Sequence, residues 1–157
     1  MSGRRPKVTG ENLDSDAAPP LRKTAGHMLR RAHQIAAANF TSEVDGILSP
    51  SQFSTLLSLC QEPGMHQIDL IPRIAADRST VNDVVARLEK KGLLEKRRSR
   101  EDERKIALYV TKEGVAAVAQ ALPGSVRAHD RLLERIPPKL REPFLQALEH
   151  LLSSEEE

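Results

Sequence analysis

The strongest constraint on the fold is a change of hydrophobic period at Gly92. Residues 77–92 read DRSTVNDVVARLEKKG, with Val81, Val84, Val85 and Leu88 at the i, i+3, i+4, i+7 spacing of one helix face. Asp77 or Ser79 can cap the free N–H groups of the first turn. Lys90 and Lys91 sit where cations suit the helix dipole, and Gly92 is a natural stop. After Gly92 the period drops to two. Leu93, Glu95 and Arg97 alternate with Leu94, Lys96 and Arg98, and Ile106, Leu108 and Val110 alternate with Lys105, Ala107 and Tyr109. The polar stretch 99–104 between them has the length of a hairpin tip.

The helix alone would pass for a surface helix with a solvated polar face. The ribbon behind it changes its meaning. The outer face carries Arg78, Ser79, Thr80, Asn82, Asp83 and Arg87, all short hydrogen-bonding groups or guanidinium forks. A helix of about 14 residues is roughly 21 Å long and fits a major groove about 12 Å wide. An arginine at the tip of the ribbon can reach the narrow minor groove beside it. Upstream, Ser49-Pro50-Ser51-Gln52 is a capping box with Pro at the first helical position, opening a helix to Gln61 with Phe53, Leu56, Leu57 and Cys60 on one face. A short helix over residues 65–75 follows, with Ile68, Leu70, Ile71 and Ile74 buried. Pro72 should bend it or cut it short. Short helix, tight turn and polar-faced helix make a helix-turn-helix. With the ribbon, the pattern predicts a winged helix-turn-helix in a mainly α fold with a small two-stranded β wing.

Long amphipathic helices flank this unit. Residues 21–44 predict one helix whose apolar stripe is wider than one packed side needs. Residues 115–134 predict a helix kinked or interrupted at Leu122-Pro123-Gly124. Residues 140–152 predict a last helix, with Pro143 shifting its start to Glu142. Such stripes call for a second copy of the chain to cover them. The expected organisation is a disordered N-terminal arm over 1–19, a dimerisation helix over 20–48, a DNA-binding region over 49–111, and C-terminal dimerisation helices over 112–157. Arg4, Arg5 and Lys7 in the arm read as a solvated tail.

Composition supports this picture where it bears on partners. A net charge of +2 over 157 residues does not by itself demand a polyanion. The distribution does: Arg87, Lys90, Lys91, Lys96, Arg97, Arg98 and Arg100 crowd one stretch, while Glu155, Glu156 and Glu157 balance them far off in the sequence. An aromatic content of 3% implies a core of Leu, Ile, Val and Ala, which suits helix packing. The single cysteine precludes an internal disulfide and fits a reducing compartment. With no apolar run long enough to span a bilayer and no signal-like h-region, a cytoplasmic protein is expected. The five histidines are scattered and no metal-spaced set or nucleophile motif appears, so neither an enzyme nor a cofactor or metal site is expected. Cys60 reads as a small buried hydrophobe. Two rival readings are a winged helix serving only as a protein-interaction module and a thiol-based redox-sensing regulator acting through Cys60.

The run of LSPSQFSTLLSLCQEPG, DRSTVNDVVARLEKKGLLEKRR and SREDERKIALYVTKEG over residues 48–114 resembles the MarR family of bacterial transcriptional regulators, and the likeness extends over residues 21–152. The resemblance implies a triangular homodimer with winged helices at two corners and terminal helices at the interface. It also implies repression from a palindromic operator and release by a small aromatic acid. It places Arg78, Ser79, Thr80, Asn82, Asp83 and Arg87 on the recognition helix. Asp102 and Arg104 fall on the wing's D-x-R, where the Asp orients an Arg that enters the minor groove. Lys90, Lys91, Arg97, Arg98 and Arg100 are the expected phosphate contacts. Departures from the family pattern are Pro72, the missing turn glycine, and Ser99-Arg100 where Asp-Pro is common. The LRRAHQ of the first helix is similar to regulators of (hetero)aromatic acid degradation, and the N-terminal half to nicotinate-pathway repressors of the NicR/BpsR type. This implies a hydroxylated nicotinate, such as 6-hydroxynicotinate, as effector. An acidic effector wants Arg or His donors in a partly apolar pocket; Arg31, His33 and Gln34 are the first candidates and His66 the second.

Overall fold

A computed structural model describes residues 20–98 and 106–153. The expected disordered arm, the wing tip and the acidic C-terminus lie outside the described residues. The chain divides into two units, one ending at Gln34 and one beginning at Ile35, and helix α1 (Ala25–Val44) runs through the division.

In the first unit the expected helix does not begin at residue 21. Leu21–Lys23 form a single 3₁₀ turn, and α1 starts only at Ala25. Thr24 causes the break: it is extended, and both its amide (3.1 Å) and its hydroxyl (2.8 Å) donate to the Leu21 carbonyl. A β-branched hydroxyl that bonds its own backbone competes with helix continuation. Met28 and Leu29 on α1 are exposed.

The second unit is built around α2 (Pro50–Gln61). Its start is the expected capping box: the Gln52 amide donates to Ser49 Oγ and the Ser49 amide donates to the Gln52 side chain. Leu56 and Leu59 are fully buried, and Phe53 stacks at a tilt on Phe40, with ring centroids 5.3 Å apart. Thr55 and Ser58 are buried as well, their hydroxyls donating to the carbonyls one turn back.

Next comes α3 (Leu70–Arg73), far shorter than the helix over 65–75 that the sequence suggests. The lost residues are used elsewhere. Gly64 donates to the Leu108 carbonyl, Leu108 donates to the Met65 carbonyl, and His66 bridges Ala107. The segment thus adds to the wing instead of coiling. Ile68, expected in the core, is 58% exposed for the same reason. Pro72 costs little in so short a helix, because its N–H would fall among the unpaired donors of a first turn. The turn ends with Ala75 at φ +50°, the left-handed position that a glycine would normally fill. Ala75→Gly should therefore raise stability by about 0.5–1 kcal/mol, strain relief of about 1–2 kcal/mol less the glycine's extra backbone entropy. A higher urea midpoint at unchanged slope is the expected result.

Helix α4 (Arg78–Lys90) buries Val81, Val84, Val85 and Leu88 against α2. It ends in a Schellman motif, with Gly92 at φ +70° donating to Glu89 and Leu93 donating to Leu88. Strands β1 (Leu94–Arg98) and β2 (Ile106–Val110) pair antiparallel in the register Leu94↔Val110 to Arg98↔Ile106. Burial along β2 does not alternate as the period suggests. Leu108 enters the core, but Ala107 on the other face is covered too, because its methyl lies between its cross-strand neighbours Arg97 and His66.

Helix α5 (Lys112–Glu134) runs on through Pro123 without the expected interruption. At Gly124 a Cβ would lie 2.5 Å from the Glu43 carbonyl oxygen, so α1 crosses α5 here backbone to backbone. Glu43 fastens the crossing by accepting from Arg127 (2.9 Å) and Arg131 (2.6 Å). These two guanidinium groups hold its carboxyl below the usual carboxylate range. Helix α6 (Pro138–Ser153) starts at Pro138, earlier than expected, and tolerates Pro143 inside it. It buries no residue, and Leu140, Leu151 and Leu152 are about half exposed or more.

Candidate nucleic-acid interface

The chemistry converges on α4 and the ribbon behind it. The cap is Asp77, not Ser79. Its carboxylate accepts from the Thr80 amide at 2.8 Å and the Ser79 hydroxyl at 2.7 Å. Those bonds hold its carboxyl below the usual range, so the cap is charged at neutral pH. Ser79 and Thr80 are thus partly committed to the cap. Arg78, Asn82, Asp83 and Arg87 stand exposed along the outward side of a helix of 13 residues, opposite the sealed valine face. Lys90 and Lys91 extend that side to the helix end, both exposed.

The wing adds Lys96, Arg97 and Arg98, also exposed. Lys96 pairs with Glu89 at 2.7 Å, tying the first strand to α4. Arg97 pairs with Glu95, and its guanidinium lies 4.8 Å from the centre of the Tyr109 ring. Each contact is exposed and of small energetic weight. Arg100, Asp102 and Arg104 lie outside the described residues.

The candidate effector residues fall in two places. Arg31, His33 and Gln34 are exposed on α1. His66 sits at the root of the wing, where its Nδ1–H donates to the Ile106 carbonyl at 3.0 Å. A carbonyl can only accept, so this bond leaves Nε2 as the ring's remaining nitrogen. Two polar residues were not singled out from the sequence. Asn39, on α1, is 7% exposed, and its Nδ2 has no hydrogen-bond partner among the described residues. Gln67 donates from Nε2 to Asn82 Oδ1 at 2.7 Å. No sequence pattern marks a pair fifteen positions apart, one in irregular backbone and one on α4.

Cys60 packs against the core, and burial pushes its thiol up. A redox sensor needs the reverse shift, toward thiolate. Among the described residues no cluster of His, Cys, Asp or Glu could hold a metal ion, and no helix is long and apolar enough to cross a membrane.

Known proteins match this arrangement. The model of the MarR family matches residues 48–106, from just before α2 to the first residue of β2. A putative transcriptional regulatory protein for the hcr operon of Thauera aromatica is 30% identical over 96% of this chain and 95% of its own length. Among solved structures, BpsR of Bordetella bronchiseptica, described for regulation of its DNA binding by 6-hydroxynicotinic acid, superposes with a TM-score of 0.79. It is 27% identical, over 85% of this chain and 96% of that one. The transcriptional repressor CouR bound to a 23-mer DNA duplex superposes with a TM-score of 0.74 at 31% identity, over 83% of this chain and 94% of that one. These relatives are regulators and not enzymes. With an outward-facing polar helix after a tight turn, a basic two-stranded wing, and this likeness over most of its length, the chain belongs to the MarR family of DNA-binding transcriptional regulators.

Proposed function

We propose that the protein is a homodimeric repressor, released from a palindromic operator by a small (hetero)aromatic carboxylate such as 6-hydroxynicotinate. The observation that carries the reading is α4. Its valine face is sealed in the core, while Arg78, Asn82, Asp83 and Arg87 face outward. Arg78, Thr80, Asn82 and Arg87 supply base contacts, each good bidentate pair contributing about 1–3 kcal/mol of discrimination. Lys90, Lys91, Arg97, Arg98 and Arg100 hold phosphates. Asp102 orients Arg104 into the minor groove. Residues 20–48 and 112–157 form the dimer interface, and the exposed Leu140, Leu151 and Leu152 of α6 support that assignment.

Two recognition helices meet successive major grooves when about 34 Å apart. A ligand that binds better to a dimer of another spacing releases the DNA by mass action. Arg31, His33 and Gln34 are the first candidates for the ligand carboxylate, and His66 is the second. BpsR, with its 6-hydroxynicotinic acid, supports the choice of ligand class.

The test is operator binding by fluorescence anisotropy, with light scattering to establish the dimer. Saturating 6-hydroxynicotinate should weaken binding by about 5- to 150-fold, the usual range of coupling between sites. In His33→Ala this release should shrink while affinity without ligand stays near wild type. A full response in that variant removes His33 from the site. No response in the wild type to any aromatic acid removes the effector class.

A further inference from the structure

A large apolar side chain stands beside the outward groups of α4. Ile68 is 58% exposed. A single exposed isoleucine is ordinary on a protein surface, but the backbone around this one is pinned. The Asp69 amide donates to the His66 carbonyl at 3.0 Å, and the His66 amide donates to Asp69 Oδ2 at 3.1 Å. The Ile68 carbonyl accepts from the Ile71 amide at 3.2 Å. The preceding residue, Gln67, reaches the side chain of Asn82 on α4 at 2.7 Å. A β-branched side chain on a held backbone is stiff, so Ile68 keeps its methyl groups in one place. That place is a cavity of about 290 Å³. Ile68, Ile71 and Val81 form its apolar wall, and Gln67, Arg78 and Asn82 its polar side.

We propose that Ile68 is a specificity-determining residue, which packs on the C5-methyl of a thymine in the operator. This rests on the reading of α4 as the recognition helix. Arg78 and Asn82 lie one turn apart on α4 and both border the cavity, so a base edge that they reach passes its mouth. The donors and acceptors of a base edge gain nothing from an isoleucine. The apolar group that a base presents in the major groove is the methyl of thymine. Water against the wall of Ile68, Ile71 and Val81 finds no partner there, and an apolar group that displaces poorly held water gains affinity. The reading surface thus includes a side chain from outside the recognition helix, supplied by the turn that leads into α3.

Duplexes selected from a randomised pool by the wild-type protein provide the probe. Each thymine is replaced in turn by deoxyuridine, which keeps every hydrogen-bonding group and lacks only the methyl. Affinities are measured for wild type, Ile68→Val and Ile68→Ala, with melting temperatures to show that all three fold alike. At one thymine of a half-site the wild type should lose about fourfold, the factor carried by one buried methyl group. Ile68→Ala should bind the thymine and deoxyuridine duplexes equally at that position. It should keep the wild-type losses at every other thymine, and the same salt slope. Ile68→Val retains the branched methyls and should keep most of the difference. A deoxyuridine profile of Ile68→Ala equal to that of wild type overturns the proposal, as does a wild type indifferent to every replacement. A uniform loss by Ile68→Ala on all duplexes also overturns it, because the side chain then packs on the sugar-phosphate backbone. Absence of sequence-specific binding by the wild type instead overturns the underlying reading of α4.

Discussion

Gly114→Ala is expected to lower the unfolding free energy by about 3 kcal/mol, the upper end for overpacking. Gly114 lies in the first turn of α5, where Thr111 caps the helix by accepting from the Gly114 amide at 3.0 Å. A Cβ at this position would sit 2.1 Å from the Leu93 carbonyl oxygen and 2.6 Å from Val110 Cγ1. Neither neighbour can give way easily. The Leu93 carbonyl accepts from the Thr111 amide at 3.2 Å, and the Thr111 hydroxyl donates to the Gly92 carbonyl at 2.7 Å. The turn after α4, the exit of the wing and the start of α5 are thus one clamp. The methyl must force it open or unwind the turn. Chemical denaturation should show the fall in midpoint, with a drop in Tm of about 6–12 °C for a chain of this size. Gly26→Ala is the control: nothing lies within 4 Å of its Cβ position, and a helix gains from alanine there. Equal stability of Gly114→Ala and wild type would show that the clamp yields.

Raising salt from about 50 to about 200 mM is expected to weaken operator binding by about 10³–10⁵-fold, the loss for a protein holding about 6–10 phosphates. In the proposed dimer, Lys90, Lys91, Arg97, Arg98 and Arg100, taken twice, would reach the top of that range. Glu89 and Glu95 pull it down, because their pairs with Lys96 and Arg97 already neutralise part of the basic edge. A plot of log affinity against log salt should be linear, with a slope of about −0.9 per phosphate held. Lys90→Ala should flatten it by about two, one for each subunit, and weaken all duplexes alike. A slope near zero would mean that the basic edge faces something other than DNA.

Features governed by neighbours in sequence were legible before any fold was known. The capping box at Ser49, the valine face of α4, the stop at Gly92 and the β1–β2 ribbon each follow from local chemistry, and each is present. What escaped notice depends on distant backbone. Met65 and His66 join the wing through partners some forty positions away, which left Ile68 outside the core despite its apolar character. Ala75 holds a left-handed turn that composition assigns to glycine. Pro123 and Pro143 look like breaks, yet both helices run on. Helix α5 is packed on both sides of Pro123, with Ala121 and Gly124 buried. At the candidate interface, the residue types of α4 were readable but their couplings were not. Asp77 draws Ser79 and Thr80 into its cap, and Gln67 holds Asn82.

The bonds from Gly64 and Met65 to Leu108 have one more consequence. They anchor the base of the hairpin to the strand of chain that leads into the reading helix. In the proposed function the wing reaches the minor groove from beyond that anchor, and the closure entropy of a loop grows only slowly with its length. Insertions and deletions there are expected to leave the packing of α4 undisturbed. Paralogues can therefore change how far the tip extends independently of which bases the helix prefers, two separate dials on one scaffold.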